Sequence, residues 1–495
     1  MGSLSILVVL SLAAAESDHE SALTLNRKDT GYRGIWYMNE PLKNEYRFKY
    51  SGGLGTFCAK HSPFAVYCDK VKKTFFCYGG TTEDSHLRHD LTTAGDSQDM
   101  PGVLLHMVSY YDHTTGKVPR PTILLDKRTK DAHDNPVIAV DDKGYIWIFS
   151  TSHGTSRPSY IHRSRQPYNI DEFEQVHATK LEDGREVPMT NFSYMQSWFV
   201  SGQGFAAFFT RYNYPAKRTA CFMTSPDGTH WSAWQRLAAI AEGHYQISTA
   251  NQHKAGSALD YHPKGKGLNW RTNLYYVETT DCGRSWQGAD GASLALPLTE
   301  PRNAAIVHDY EKDGLLVYLK HICFDEANQP VILFITSKGF RSGPEDGPRT
   351  WTTARWTGSA WEIRPITTSG NNYDMGSLYI EADGLWRIIG PTERGPQPYN
   401  PGGEMAMWTS YDQGATWKKV RQLTSRSPFN HTFARRPVNA HDDFYAFWAD
   451  GHGRQPSASS LYFCTRAGTV FRLPRTMTQD FEAPEPRPNG LQIRN

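Results

Sequence analysis

A turn motif that recurs along the chain constrains its fold more than any other feature. The segments "TSPDGTHW" (224–231), "TTDCGRSW" (279–286) and "TSYDQGATW" (409–417) share Ser or Thr, then Asp, Gly and a final Trp. "EDGPRTW" (345–351) is a looser relative. Asp and Gly favour a tight turn between two strands, and Trp packs beside that turn. This is the Asp-box pattern, which is typical of β-propellers and says little about chemistry.

The spacing of the motif predicts the repeating unit. Its Asp residues are 54, 65 and 66 positions apart, about the length of one four-stranded blade. A composition that is 13% aromatic, with 41 Gly and 29 Pro, suits many short strands and turns. We therefore predict an all-β, seven-bladed β-propeller with Asp-box-like repeats. Residues 31–38 ("GYRGIWYM") are expected to supply an outer strand that closes the ring.

Each predicted blade begins with two apolar or alternating runs that are bounded by turn residues. In order along the chain, the pairs are "FAVYC/TFFCYGG", "PVIAVD/YIWIFSTS", "SWFV/FAAFFTRY", "YQIST/GSALDYH", "AAIVHD/LLVYLKH", "GSLYIE/LWRIIGP" and "RPVNAH/FYAFWAD". No linker separates them, so residues 16–495 are predicted to form a single catalytic domain.

The N-terminus and the charge balance bear on location and partners. Residues 4–15 ("LSILVVLSLAAA") are a short apolar run that ends in small residues, so residues 1–15 are predicted to be a signal peptide. The protein would then be secreted, or periplasmic in a bacterium. The run lacks a leading Lys or Arg, and the alternative is a frayed terminus. A net charge of +2 and the absence of a span of about 18 apolar residues argue against nucleic-acid and membrane partners. We expect a monomer.

The seven cysteines are too few for a disulfide scaffold, and none are spaced as CxxC. Cys68 and Cys77 flank a predicted turn, where they either pair or remain free thiols. No cofactor is required for the chemistry proposed below. A structural divalent metal is possible at His431, His441 and His452, although their spacing matches no compact metal motif.

Two histidines flank the predicted hairpin of the second blade. His133 precedes its first strand and His153 follows its second strand. Strands in a blade alternate in direction, so both residues should lie on one face, at the mouth of the central channel. The same argument brings further residues from the other blades to that face. They are His61, His86, Tyr194, Gln196, Arg211, Tyr212, His244, Tyr245, Gln246, His262, Asn269, Arg271, Arg302, Asn303, Lys320, His321, Tyr373, Asp374, Arg394, His431, Arg435, Asp450 and His452.

This set is rich in His, Tyr and Arg and poor in carboxylates. A glycosidase ordinarily needs two carboxylic side chains across the scissile bond. β-Elimination from a uronic acid instead needs cations near the sugar carboxylate, a base for the C5 proton and an acid for the departing O4. His, Tyr and Arg can fill those roles without a metal. Taken singly, a histidine beside a strand end is more often a structural hydrogen-bonding residue, and the tyrosines and arginines have packing or ion-pair roles as alternatives.

Several segments resemble the BNR-4 repeat family over nearly the whole chain after residue 30. They are "GYRGIWY", "KYSGGLGT", "DAHDNP", "STSHG", "FTRY", "GHYQIS" and "NWRTNLYYVETTDCGRSW". The family includes seven-bladed propeller lyases that act on ulvan, and rhamnose-α-1,4-glucuronate lyases that trim gum arabic. Both kinds cut the bond between rhamnose and O4 of glucuronate.

The resemblance implies roles for individual residues. His133 and His153 match the paired active-site histidines, Tyr194 the acid/base tyrosine, and Arg211 the arginine that binds the uronate carboxylate. Tyr245 matches a further active-site tyrosine. The remaining predicted substrate-binding residues are Tyr212, His244, Gln246, His262, Arg271, Arg302 and Tyr373. The implied activity is a lyase on an acidic polysaccharide. An α-rhamnosidase-like or sialidase-like hydrolase and a non-catalytic carbohydrate-binding propeller are the alternatives.

Overall fold

The computed structural model describes residues 24–55, 60–81, 100–155 and 157–488. The predicted signal peptide and His86 lie outside these ranges. Within them the chain forms β-strands, and helix is limited to two 3-10 turns, Asp69–Val71 and Ala132–Asp134. None of the helices in the described ranges is long and apolar enough to cross a membrane.

The strands follow one another along the described chain with short turns between them. The first eighteen are β1 (Thr24–Lys28), β2 (Trp36–Pro41), β3 (Phe48–Gly52), β4 (Ala65–Cys68), β5 (Lys73–Gly80), β6 (Leu105–Asp112), β7 (Val118–Pro119), β8 (Thr122–Asp126), β9 (Pro136–Val140), β10 (Ile146–Ser150), β11 (Tyr160–Ser164), β12 (Phe173–Gln175), β13 (Thr179–Glu182), β14 (Arg185–Pro188), β15 (Ser193–Val200), β16 (Gly204–Tyr212), β17 (Arg218–Ser225) and β18 (His230–Trp231). The others are β19 (Gln235–Ala238), β20 (Gln246–Ala250), β21 (Ala255–Tyr261), β22 (Thr272–Thr279), β23 (Ile306–His308), β24 (Leu316–Phe324), β25 (Pro330–Ser337), β26 (Arg349–Trp356), β27 (Trp361–Ser369), β28 (Ser377–Ile380), β29 (Trp386–Glu393), β30 (Glu404–Ser410), β31 (Lys418–Gln422), β32 (Asn430–Arg435), β33 (Ala446–Gly451), β34 (Leu461–Cys464), β35 (Val470–Arg472), β36 (Phe481–Glu482) and β37 (Glu485–Pro486).

The described strands assemble into an all-β propeller. Sheets of four or five strands have the orders β1-β8-β6-β5-β4, β12-β11-β10-β9, β15-β16-β17-β19, β20-β21-β22-β23, β24-β25-β26-β27, β28-β29-β30-β31 and β32-β33-β34-β35-β37. The smaller sheets are β14-β13-β18, β2-β3 and β36-β7. Most neighbours within a sheet are antiparallel, as the alternating runs predicted.

The prediction of seven blades needs a correction. The described residues form eight sheets of three or more strands, of which seven have four or five strands and one, β14-β13-β18, has three. The eighth was missed because β13 and β14 are short and largely exposed, so they lack a strong apolar pattern. Its third strand, β18, ends in the tryptophan of the first Asp box and pairs in parallel with β13.

Apolar side chains fill the spaces between neighbouring sheets. The ring closes where the β32 sheet meets the β4 sheet, and Phe76 packs there against Phe444 and Phe447 with centroids 5.7 and 5.1 Å apart. The extra outer strand of the β4 sheet is β1, which pairs with β8. It was wrongly predicted at residues 31–38, because residues 36–41 pair with β3 instead.

Three finer predictions are also wrong. "AAIVHD" contains β23, the outer strand of the β20 sheet, and the next sheet begins with β24. The last sheet begins at β32, ahead of "RPVNAH". "EDGPRTW" leads into the third strand of its sheet and supplies the first residues of that strand, whereas the true Asp boxes follow the third strand. The sequence analysis left open whether Cys68 and Cys77 pair, and both are free thiols.

Candidate active site

The β9–β10 hairpin brings His133 and His153 together. Pro136 pairs with Ser150 at the open end of the hairpin. His133 lies three residues before that pair and His153 three residues after it. Their imidazole rings stack with centroids 3.9 Å apart and planes at 12°. The predicted proximity of the two histidines is confirmed.

Asp131 explains why the two rings are parallel. It caps the 3-10 turn Ala132–Asp134 by accepting from the backbone N–H of His133 (3.0 Å). One carboxylate oxygen also contacts Nδ1 of His133 (2.5 Å), and the other contacts Nδ1 of His153 (2.7 Å). The turn ends at Asn135, because a residue that precedes proline disfavours the helical region.

The shared carboxylate fixes the proton positions on both rings. An ionised carboxylate only accepts hydrogen bonds, so each imidazole donates its Nδ1–H and Nε2 is the nitrogen for proton transfer. Burial alone would raise the pKa of Asp131, but the charges and hydrogen bonds of the two histidines hold it well below its usual range. Asp131 therefore remains ionised and supports a proton on either ring.

A second layer of ion pairs holds Asp131 in place. The guanidinium of Arg157 donates to Asp131 Oδ2 (3.1 Å) and to both oxygens of Asp134 (2.8 and 3.0 Å). Lys127 Nζ lies 3.4 Å from Asp134 and donates to the carbonyl of Thr151. Both carboxylates are fully buried. Asp131 orients the two histidines directly, and Asp134 holds Arg157, which in turn holds Asp131.

Three tyrosines continue the site from the histidines. The ring of Tyr212 lies 5.6 Å from that of His153, and that of Tyr194 lies 5.7 Å from His133. Tyr212 Oη donates to Tyr194 Oη (3.3 Å), and Tyr245 packs edge-on against Tyr194 at 5.5 Å. Tyr194 has a φ of 50° at an irregularity of β15, a device that redirects a side chain.

The arginine of this cluster is Arg218. Arg218 pairs with Tyr212 across β16 and β17, so the two side chains share one face. Its guanidinium carbon lies 5.9 Å from the Tyr212 ring centroid and 5.8 Å from that of Tyr245. The side chain is buried, and among the described residues its Nε and Nη1 have no hydrogen-bond partner.

Arg211, which was predicted to bind the carboxylate, points elsewhere. Adjacent residues on a strand face opposite sides, so Arg211 cannot share the face of Tyr212. Its guanidinium donates to the carbonyl of Asn191 (3.0 Å) and lies 5.1 Å over the ring of Trp234. The structure therefore places Arg218, and not Arg211, in the cluster with the tyrosines, while the binding of a carboxylate by either arginine stays a prediction.

A second arginine extends the aromatic row. The guanidinium carbon of Arg271 lies 4.3 Å from the ring centroid of Tyr245, 5.0 Å from Tyr318 and 5.2 Å from Tyr373. Tyr373 donates to Asn269 Oδ1 (2.7 Å). The structure thus brings the predicted residues Tyr245, Arg271 and Tyr373 into one group with the tyrosines beside the histidines.

Other predicted substrate-binding residues have structural partners. His244 donates Nδ1–H to the carbonyl of Asp260 (2.7 Å) and accepts at Nε2 from Ile240 N (2.8 Å). The side-chain amide of Gln246 donates to the carbonyl of Phe209 (2.7 Å). These contacts correct the assignment of His244 and Gln246 as substrate ligands.

The last two predicted substrate-binding residues, His262 and Arg302, have very different surroundings. His262 is fully buried, and its ring centroid lies 5.0 Å from that of Tyr245. It therefore packs against the tyrosine and helps to fix its position. Arg302 is 85% exposed and lies 3.7 Å from Asp309, next to the outer strand β23. The prediction for Arg302 is wrong because it treated "AAIVHD" as the first strand of the fifth blade, whereas that segment contains the outer strand β23.

His61 braces the same site. Its Nε2–H donates to the carbonyl of His133 (2.8 Å), and its ring lies 5.5 Å from that of Tyr194. Burial lowers the pKa of His61 to about 3, so it stays neutral. The sequence analysis placed His61 on the correct face, but the contacts give it a positioning role.

The predicted metal set does not assemble. His431 accepts from Trp448 Nε1 (3.0 Å) at Nδ1, and its Nε2 contacts Ser427 Oγ (2.8 Å). Within the described ranges, the two groups of side chains that are close enough to hold a metal are Asp131–His133–His153 and His113–His441–Asp443. The first group already has its carboxylate shared between the two Nδ1–H donors.

The fold and the site together define an all-β propeller with a buried histidine–tyrosine–arginine cluster on one face. The chain belongs to the BNR repeat-containing family, whose model matches residues 107–369. An ulvan lyase of Nonlabens ulvanivorans is 21% identical over 439 residues, which is 82% of this chain and 86% of the relative.

Solved structures support the same architecture. A PL25 ulvan lyase bound to -[GlcA(1-4)Rha3S]- matches with a TM-score of 0.64 and 16% identity, over 89% of this chain and 96% of that one. The polysaccharide lyase Uly1 matches with a TM-score of 0.58 and 10% identity, over 91% and 99%. At these identities the likeness shows the fold.

Proposed function

We propose that this protein is a polysaccharide lyase that cleaves the bond between rhamnose and O4 of glucuronate in an acidic polysaccharide. The observation that carries the proposal is the pair of stacked imidazoles on one buried carboxylate, next to Tyr194. Arg218 lies beside Tyr212 in the same cluster. The similarity to an ulvan lyase supports it. The ligand of the PL25 neighbour supports glucuronate and rhamnose as the sugar units.

The site supplies each part of a β-elimination. Arg218 would pair with the C6 carboxylate of the uronate, which lowers the cost of negative charge at C5. Nε2 of His133 or His153, or the Tyr194 oxygen, would take the C5 proton. The C4–O4 bond then breaks, a C4=C5 double bond forms, and a second histidine or tyrosine returns a proton to O4. No water is consumed.

The carboxylates near the histidines argue against a retaining or inverting hydrolase. Asp131 and Asp134 are fully buried and bound to His133, His153, Arg157 and Lys127. A glycosidase ordinarily needs one carboxyl group on each side of the scissile bond, at least one of them able to donate a proton. These two carboxylates are instead fully buried and already bound by protein side chains, so neither is available to a sugar.

The direct test is the ultraviolet absorbance of the unsaturated uronate during digestion of ulvan or gum arabic. We expect the absorbance to rise with the wild-type protein. With His153→Ala, the initial rate of that rise should be lower by about 10³-fold or more. His253→Ala, at an exposed turn, is the matched control and should retain the wild-type rate. Release of rhamnose without this absorbance would contradict the proposal and favour a hydrolase. Glycan binding with no activity to lose would favour a binding protein.

We further propose that the protein is secreted, on the strength of the apolar run at residues 4–15. A polymeric substrate cannot enter a cell, so its degradation begins outside. Expression of the full chain, followed by N-terminal sequencing of the protein from the medium, tests this. A mature N-terminus near residue 16 is expected, and retention of the intact chain in cells would contradict it.

A further inference from the structure

A second cluster of histidines lies on the face opposite the candidate active site. His61, which braces His133, precedes β4, whereas Tyr67 lies at the other end of that strand. The ring of Tyr67 is 4.7 Å from that of His441 and 5.2 Å from that of His113. The cluster lies where the last sheet meets the β4 sheet, at the closure of the ring.

The two histidines and one carboxylate converge on a common point. The rings of His113 and His441 have centroids 4.0 Å apart. Asp443 Oδ2 lies 3.8 Å from Nδ1 of His113 and 3.7 Å from Nδ1 of His441. One ligand atom of each residue lies within 4.8 Å of those of the other two. The backbone N–H of Asp443 donates to His441 Nδ1 (3.2 Å), so His441 would bind a metal through Nε2.

The hydrogen bonding of His113 indicates a ligand. Its side chain is 4% exposed, and Nε2 contacts Thr74 Oγ1 at 2.8 Å. Donation from Nε2–H to Thr74 leaves a lone pair on Nδ1, the usual outer-shell arrangement of a metal-binding histidine. That buried Nδ1 has no hydrogen-bond partner among the described residues, although it faces Asp443. A buried nitrogen without a partner is costly, and a cation would satisfy it.

The residue types and distances suit a borderline divalent metal. Two imidazoles and a carboxylate are ligands that Zn²⁺ accepts in four-coordinate sites, where ligand atoms lie about 3.4 Å apart. The observed separations are slightly longer, and Asp443 is 56% exposed, so its side chain can move inward. Water would fill the remaining position, because His441 and Asp443 both reach solvent.

We propose that His113, His441 and Asp443 form a structural Zn²⁺ site that links the last sheet to the first and so stabilises the closed ring. His113 follows β6 of the β4 sheet, and the other two residues lie in the β32–β33 connection. A bond between elements that far apart in the chain constrains the point where the ring can open. The site is separate from the catalytic cluster.

The test uses the full-length protein, dialysed against excess Zn²⁺ and then against metal-free buffer. We expect about one Zn²⁺ per chain by elemental analysis, and a melting temperature that rises by about 2 °C or more with Zn²⁺ and falls again with a chelator. His441→Gln and Asp443→Asn should each lose most of the metal and the thermal shift. Neither changes a buried apolar side chain, so both should fold and keep the activity of the metal-free wild type.

Two controls separate this site from other histidines. His308→Gln removes a partly exposed His–Asp pair (2.6 Å to Asp313) and should keep the metal. His153→Gln alters the other candidate group and should also keep it. Equal zinc content in wild type and Asp443→Asn, or no retained zinc in the wild type, would overturn the proposal. Neither result would bear on lyase activity.

Discussion

His133 and His153 are held parallel, 3.9 Å apart, because each donates its Nδ1–H to a different oxygen of one buried carboxylate. Two imidazoles in contact would repel each other if both were charged. The single negative charge of Asp131 balances the positive charge of one imidazolium, so one of the two rings can be protonated. The arrangement can therefore hold one additional proton, on Nε2 of either ring. This is a suitable device for a reaction that removes one proton and returns another.

The first prediction concerns Asp131. Asp131→Asn replaces one of the two acceptor oxygens with an N–H donor, which cannot accept from a second Nδ1–H. One imidazole must then change tautomer or rotate, and we expect kcat to fall about 10²- to 10⁴-fold with a smaller change in KM. Initial rates from uronate absorbance measure this. Asp313→Asn, in the partly exposed pair with His308, is the matched control, and equal rates in both variants would refute the role of Asp131.

The second prediction compares Arg218 with Arg211, which lie on the neighbouring strands β17 and β16. Arg218→Lys keeps the charge but loses the planar guanidinium beside Tyr212, so kcat/KM should fall about 10²-fold or more. Arg211→Lys should change it less than about threefold, since that side chain packs on Trp234. Kinetics on the same polysaccharide, with melting temperatures of both variants, test the assignment. A larger loss at Arg211 would restore the prediction made from the sequence.

The third prediction concerns the backbone that carries Arg218. Gly243 has a φ of 107°, and a Cβ there would lie 2.1 Å from the carbonyl oxygen of Arg218. Gly243→Ala should therefore destabilise the protein by about 1–3 kcal/mol and lower kcat/KM by displacing Arg218. Gly265 also has a positive φ (75°), but a Cβ added there would have no atom within 4 Å. Gly265→Ala therefore measures the cost of the positive φ without the clash. Equal activity loss in both variants would show that displacement of Arg218 is not the cause.

The fourth prediction concerns acid stability. Burial lowers the pKa of His61 and His431 to about 3 and that of His244 to about 4, from an ordinary value of 6.5. Below pH 6.5 the unfolded chain binds these protons while the native protein does not, so stability is lost as the pH falls from about 6.5 towards 4. Two buried carboxyl groups act in the opposite direction.

Those carboxyl groups are Asp374 and Asp450, whose pKa burial raises to about 6. They favour the native state at low pH and lose that contribution as the pH rises from about 4 to 6. Burial also lowers the pKa of His162 and His321 to about 3, whereas Asp260 is the one further carboxyl group among the described residues whose pKa is raised by burial. The histidines therefore outweigh the carboxyl groups, and the melting temperature should fall on acidification from pH 6.5 to 4. His431→Gln should flatten that dependence. A melting temperature that rises over the same range would contradict this account.

The sequence predicted the fold where local chemistry determined it. Three Asp boxes marked the turns after third strands, and the alternating runs of the second unit defined β9 and β10. "AAIVHD" was misplaced because an apolar run predicts a strand but does not say whether that strand is inner or outer. The three-stranded sheet was missed because its first hairpin is largely exposed and so carries no strong apolar signal.

The site was predicted in part for a related reason. His133 and His153 follow from the hairpin alone, and Tyr194, Tyr212 and Tyr245 were placed on the correct face. Arg218 depends on its register with Tyr212 across two strands, which no local pattern shows. Asp131 could have been found, since an Asp two residues before His133 is a typical cap of a short helical turn.

The most direct test of the central claim is digestion of the substrate in water enriched with oxygen-18, followed by mass analysis of the fragments. Elimination should give a non-reducing-end uronate that is lighter by one water, and no fragment should gain the label during the cleavage step. Brief reaction times and a control incubation of finished products account for slow exchange at the reducing end. Saturated fragments that carry one oxygen-18 atom per cleavage would contradict elimination and show that the site hydrolyses its substrate.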